Sequence, residues 1–341
     1  MEKVTKERIE YLDFVRAIAV ILIIITHYNA AYVFGREVPA FEKCIITEFP
    51  FGIYVGDLGV SLFLIISGAA LMYVYEEKLE LVKFYKKRFI AIFPMFWMAY
   101  IVAVLPKLGV WKNAGIDIPR WRILVTLVGM DGYLSEFGQG FYVLGEWFLG
   151  FIILFYMVFP LLRTCMAKNE ALTWIMVIIA YIITLKYYDF NFEISKFIFA
   201  RLPELCFGMS FMKHRVNPRW YMVIPAFAVL AVNTLVQPRI MRIIPITYVG
   251  IAMFVAMVFV SNIIKGKKIR TVCSWLSKYS YAIFLVHYVI IEYIQAYFDL
   301  DGITIIKNYI LFVITFIVIL IIAYILQGSH DYIFKVKKSG A

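Results

Sequence analysis

Long apolar runs separated by short charged stretches make up most of the chain. Ten of them approach the roughly 20 residues that a helix needs to cross bilayer hydrocarbon. They lie at 12–34, 53–75, 89–106, 140–162, 171–187, 195–212, 220–236, 242–264, 279–298 and 303–327. None alternates apolar and polar residues as a membrane barrel strand does. The pattern predicts an all-α integral membrane protein of about ten transmembrane helices. The longest connection, 107–139, contains WRILVTLVGM at 121–130, a segment suited to the interface or to re-entry. No internal repeat, low-complexity linker or fused soluble domain interrupts the runs, so residues 1–341 are expected to form a single membrane domain. The N-terminal MEKVTKERIE carries both signs of charge, and the run after it is too long for a signal-peptide core.

Composition agrees with this reading. Hydrophobic residues are 63% of the chain and mean hydropathy is +0.83, whereas soluble domains are about half apolar. The net charge of +11 does not indicate nucleic acid, because the basic residues sit in short runs between spans, where they orient helices. On one side fall the Lys and Arg residues of 3–8, 78–88, 163–168, 213–219, 265–278 and 335–338, 21 in all. On the other fall Arg36, Lys43, Lys107, Lys112, Arg120, Arg122, Lys196, Arg239 and Arg242, nine in all. The richer side is expected to be cytoplasmic, which places both the N- and C-termini inside. The four cysteines are scattered without a CxxC pair, so neither a disulfide framework nor a zinc site is expected.

The first run, YLDFVRAIAVILIIITHY at 11–28, holds Asp13, Arg16 and His27. Charge within a span is costly and marks function by default. Arg16 and His27 are eleven residues apart, about 20° from a whole number of helical turns and about 16 Å along the axis. Asp13 lies three residues before Arg16, on the same face and close enough to pair with it. Arg16 alone reads as a snorkelling end-of-helix charge, and His27 alone as a side chain bonded to a neighbouring helix. Aligned on one stripe, they suggest a polar cavity running in from the cytoplasm, with a histidine suited to accept a proton at its inner end.

These residues resemble the opening motif of membrane acyltransferase family 3, in which an Asp precedes Arg, ten residues and His. Five further segments resemble the family in order: GVSLFLIISG at 59–68, FYKKRFIAIFPMFW at 84–97, EWFLGFIILFYMVFPLL at 146–162, RLPELCFGM at 201–209 and LSKYSYAIFLVHY at 276–288. Two positions depart from the family pattern. Arg88 fills the first place of the arginine pair entering the third span, but Ala91 stands in the second. Ile152 and Ile153 stand where many relatives carry carboxylates, the nearest being Glu146.

The resemblance implies an O-acyltransferase of the plasma membrane that moves an acetyl group from acetyl-coenzyme A to a hydroxyl of a cell-surface carbohydrate or its lipid-linked precursor. The acyl-coenzyme A is then a donor substrate, with no permanently bound cofactor and no metal. Arginines hold phosphate in bidentate fashion, so Arg16 and Arg88 are the candidates to clamp the donor, with Lys86 and Lys87 drawing it in. His27 is the candidate general base, supported by Asp13 and Arg16; a covalent acyl-histidine is the other chemistry open to it. Candidate acceptor residues are Glu146, Trp147, Arg201, Glu204 and His287. Each has a plainer reading. Trp147 suits an interfacial anchor, Arg201 and Glu204 a bundle-stabilising ion pair, and His287 a structural hydrogen bond. Ser67 and Gly68 are expected to allow close helix packing. The competing function is a transporter, flippase or exporter component for a lipid-linked saccharide, although the inverted repeats that would favour it are not visible.

Overall fold

The computed structural model describes residues 7–34, 37–113, 118–138 and 140–334, with the side chains of 108–113 excepted. Lys3, Lys6, Arg36, Lys335, Lys337, Lys338 and the Lys112 side chain, all used in the charge reading, lie outside that description. The described residues hold helices and no strand. In chain order the α-helices are α1 (Glu10–Val33), α2 (Val55–Tyr75), α3 (Leu81–Asn113), α4 (Ile123–Leu127), α5 (Trp147–Lys168), α6 (Glu170–Tyr187), α7 (Ile198–Lys213), α8 (Trp220–Val236), α9 (Ile243–Ile263), α10 (Lys267–Gln295) and α11 (Ile305–Ile333).

Each of the ten apolar runs forms a helix. Among the described residues, seven helices are long and apolar enough to cross a membrane: α1, α2, α3, α5, α6, α9 and α11. Helix α8 is apolar but shorter, α7 has 16 residues with Arg201 and Glu204 among them, and α10 is a long helix with a basic first turn. Two boundaries differ from the sequence reading. The run at 140–162 becomes helical only at Trp147, because Gly145 holds left-handed backbone, with φ of 71°, and breaks the helix that hydropathy alone would extend. The run at 279–298 belongs to a helix that begins at Lys267, because helical hydrogen bonding continues through polar residues that a hydropathy window passes over. The segment at 121–130 forms only the five-residue α4.

The chain divides into two compact units. The first comprises Met1–Thr26, Ile46–Leu79 and Phe159–Ser280; the second comprises His27–Ile45, Glu80–Val158 and Tyr281–Ala341. In the first unit α2 packs on α7 and α9, α8 on α9, and α6 on α7. The α2–α7 crossing brings backbone against backbone. A Cβ at Gly68 would overlap the Leu205 carbonyl oxygen, and one at Gly208 would overlap that of Ile65. Small residues permit such approach where helices associate without a hydrophobic drive between them, as expected for Gly68. Ser67 instead bonds its own helix, donating to the Phe63 carbonyl at 2.7 Å. In the second unit α11 packs on α3, and the side-chain amide oxygen Oδ1 of Asn308 on α11 accepts from the hydroxyls of Tyr28 and Tyr32 on α1, both at 2.7 Å.

The α2–α7 interlock makes a contrast between two glycines. Gly208→Ala should destabilise the protein by roughly 1–3 kcal/mol, the usual cost of overpacking a tight contact, because the atom in its way is backbone. Gly328→Ala, in α11 where a Cβ meets nothing within 4 Å, should be neutral or stabilising. Thermal unfolding in detergent measures both, and equal midpoints would contradict the interlock.

Candidate active site

The start of α1 carries a polar relay within the first unit. Asp13 forms an ion pair with Arg8, and the Ser277 hydroxyl of α10 donates to Asp13 Oδ1 at 2.6 Å. Arg16 Nη1 in turn donates to Ser277 Oγ at 3.0 Å. The hydroxyl serves as donor and acceptor at once, so Asp13 and Arg16 are joined through a third helix. The pairing expected from their spacing is therefore bridged by Ser277, with Arg8 as the ion-pair partner of Asp13. Beside this relay lies a cavity of about 500 Å³, lined among others by Arg8, Glu10, Asp13, Lys265, Lys267 and Arg270. Arg270 pairs with Glu10 at 2.6 Å across it. The first turn of α10 opens on this cavity, so a helix N-terminus adds its partial positive charge to the lysines.

Arg201 and Glu204 of α7 are fully buried in the same unit. Their side chains pair at 2.9 Å, and Arg201 Nη2 donates to Ser61 Oγ of α2 at 3.1 Å. Ser61 is backed by Gly250 of α9, where a Cβ would crowd the serine. One turn before Ser61, the buried Asp57 accepts from Arg242 at 2.6 and 3.1 Å. Arg201 and Glu204 thus sit inside the α2–α7–α9 packing, and removing either would leave a buried charge uncompensated.

The second unit holds His27, half-buried on α1. Its ring lies 4.8 Å from that of His287, at an interplanar angle of 62°, and 5.5 Å from that of Tyr288, edge to face. His287 is fully buried on α10. Its Nδ1 lies 2.8 Å from the Phe284 carbonyl oxygen and 3.2 Å from that of Ile283. A Cβ at Gly145 would press on the Tyr288 ring, so the glycine turn before α5 seats against this aromatic group. Next in sequence, Glu146 is fully buried; its Oε2 accepts from the Leu144 amide at 2.7 Å, while Oε1 has no hydrogen-bond partner. Trp147 opens α5, half-buried.

On α3, the Arg88 guanidinium lies over the rings of Phe84 and Tyr156, at 5.8 and 5.5 Å, while Lys86 and Lys87 are exposed. Ala91 is exposed too, so an arginine there would point away from the packed face of α3. Among the described residues between α3 and α5, several backbone carbonyls are held by side chains. Tyr100 donates to the Phe141 carbonyl at 2.7 Å, and Arg122 to those of Phe137 and Gly138 at 2.9 and 3.2 Å. Within the loop the buried Asp131 accepts from the Thr126 hydroxyl at 3.0 Å.

A family model described as an acyltransferase domain matches residues 9–328. The chain belongs to acyltransferase family 3. With its apolar helices, it carries a membrane acyltransferase domain over nearly its whole length. No curated protein and no solved structure matches it significantly. Of the candidates named from sequence, the structure brings together Asp13 with Arg16, Arg201 with Glu204, and His27 with His287. Ser277, Tyr288 and the Asp57–Arg242 pair had not been singled out. Ser277 and Tyr288 both lie in the LSKYSYAIFLVHY segment, and membership of that segment was the available signal. Asp57 and Arg242 are far apart in sequence, and nothing local joins them.

Burial pushes the Asp131 carboxyl above its usual range, against the opposing bond from Thr126. Folding therefore favours the protonated form. The stability it contributes is present below the ordinary carboxylate value of about 3.9 and is lost as pH rises through the raised folded value. Asp131→Asn should flatten the dependence of thermal midpoint on pH from about pH 4 upward. A profile parallel to the parent's would contradict this.

Proposed function

We propose that the chain is an O-acetyltransferase of the plasma membrane. It takes acetyl-coenzyme A from the cytoplasm and acetylates a hydroxyl of a cell-surface carbohydrate or of its lipid-linked precursor. The observation that carries the reading is the placing of His27. It is the one histidine of the family-like Asp–Arg–His motif, half-buried on α1 and set against a second buried histidine and a tyrosine. A general base must sit where water is scarce and still reach the proton that it abstracts.

In the proposed reaction His27 takes the proton of the acceptor hydroxyl as its oxygen attacks the thioester carbonyl. The new C–O bond forms, the C–S bond breaks, and the leaving thiolate takes the proton back from the imidazolium. Arg16, steadied by Ser277 and through it by Asp13, binds a phosphate of the donor. The basic cavity at the start of α10 supports an anionic donor on that side, and Arg88, Lys86 and Lys87 supply further positive charge on α3. Trp147 and Glu146 are assigned to the acceptor. Complete enclosure favours a structural role for Arg201 and Glu204, which hold α7 to α2.

Two outcomes test this. With labelled acetyl-coenzyme A in membranes that contain the native acceptor, His27→Ala should lower transfer about 10²–10⁴-fold, the usual worth of a general base, while donor binding persists. Full transfer by that variant would rule out His27 as base, and saccharide movement across vesicles without thioester loss would favour a transporter. Arg16→Ala should raise KM for acetyl-coenzyme A roughly 10–100-fold, the worth of a charged hydrogen bond, yet leave KM for acetyl-pantetheine unchanged. An equal rise for both donors would remove Arg16 from the phosphate site.

A further inference from the structure

We propose that His287 is the positioning residue for His27, accepting at Nε2 the hydrogen bond that fixes which nitrogen of His27 is left to take a proton. The proposal rests on the reading of His27 as general base. It starts from the backbone of α10. His287 Nδ1 is within hydrogen-bond distance of two carbonyl oxygens of its own helix, those of Phe284 and Ile283. Carbonyl oxygens only accept, so Nδ1 carries the hydrogen. In a neutral imidazole the other nitrogen then holds the lone pair. That nitrogen, Nε2, is buried and has no hydrogen-bond partner, in a side chain with no exposed surface. A buried acceptor without a donor is rare enough to call for an explanation.

The rings around His287 supply one. Phe284 stands 6.0 Å away and brings no N–H or O–H. His27 stands 4.8 Å away, tilted at 62°, and brings a ring N–H of the kind that the lone pair lacks. A base that takes a proton at one ring nitrogen holds its other N–H against an acceptor, and that acceptor decides the tautomer. In the serine hydrolase arrangement the acceptor is a carboxylate. Here the position falls to a neutral imidazole, which orients His27 and hydrogen-bonds the imidazolium as it forms without adding a charge inside a span. Tyr288, on the other contact of His27, leaves the proton-accepting side aromatic and polar. The step moves no proton to His287; the acceptor's proton stays on His27 until the thiolate takes it.

The test separates a lone pair from a shape. His287→Phe keeps an aromatic ring and removes the acceptor, whereas His287→Gln places an amide oxygen near the position of Nε2. In membranes that contain the native acceptor, with labelled acetyl-coenzyme A, His287→Phe should lower kcat about 100-fold or more with KM for the donor within about twofold. His287→Gln should restore kcat to within about tenfold of the parent. The double variant with His27→Ala should be no slower than His27→Ala alone, because residues acting as a unit are not additive. A readout independent of turnover is nitrogen-15 NMR of histidine-labelled protein, which has only four histidines to resolve. His287 should appear as the Nδ1–H tautomer, and the His27 signals should shift in His287→Phe. Equal loss in the Phe and Gln variants would overturn the proposal in favour of packing. So would parent-like kcat in His287→Phe while His27→Ala is dead, and that result would leave His27 as base. Parent-like transfer by His27→Ala would instead remove the base reading beneath it.

Discussion

The contact of two helix backbones at the α2–α7 crossing sets much of the first unit. With Gly68 against the Leu205 carbonyl and Gly208 against that of Ile65, no side chain separates the helices there, and the neighbouring turns must fill their space closely. Arg201 and Glu204 are carried on α7 through that crossing. Their burial would be expensive alone, since each ion loses its water. Paired with each other and anchored to Ser61, they become a reason for α7 to take only one rotation and register against α2. The Asp57–Arg242 bridge repeats the arrangement one turn earlier on α2. Polar specificity and close small-residue packing thus act on the same helix pair.

Helix α10 meets the Asp13–Arg16 pair and His27 of α1 at two separate residues. Its Ser277 joins Asp13 and Arg16 in the first unit, and its His287 meets His27 in the second. The spacing of ten residues on α10 nearly matches the eleven between Arg16 and His27 on α1. Ser277 tolerates this duty because a hydroxyl can donate and accept at once. His287 tolerates it because its other nitrogen is satisfied within its own helix.

The all-helical architecture, a helix at each apolar run and the family were legible in the sequence, because hydropathy and local motifs carry them. Where glycines intervene, hydropathy misled: the apolar residues at 140–146 form an ordered loop, with Glu146 turned inward. Where the helix is polar, it fell silent, as at the start of α10. That Ser277 bonds Asp13 and Ser61 bonds Arg201 required knowledge of which helices touch, which no window of residues contains. Ala91 is instructive in the other direction. Its departure from the family pattern suggested a missing charge, yet its outward position on α3 means that an arginine there would not have joined the packed face carrying Phe84 and Pro94.

The Nδ1 bonds of His287 are local, closing over three and four residues of one helix. A tautomer set in this way travels with a short piece of sequence and owes nothing to the loops. The described loop residues between 118 and 146, tied by contacts of their own, can then change without disturbing the bonds that set this tautomer.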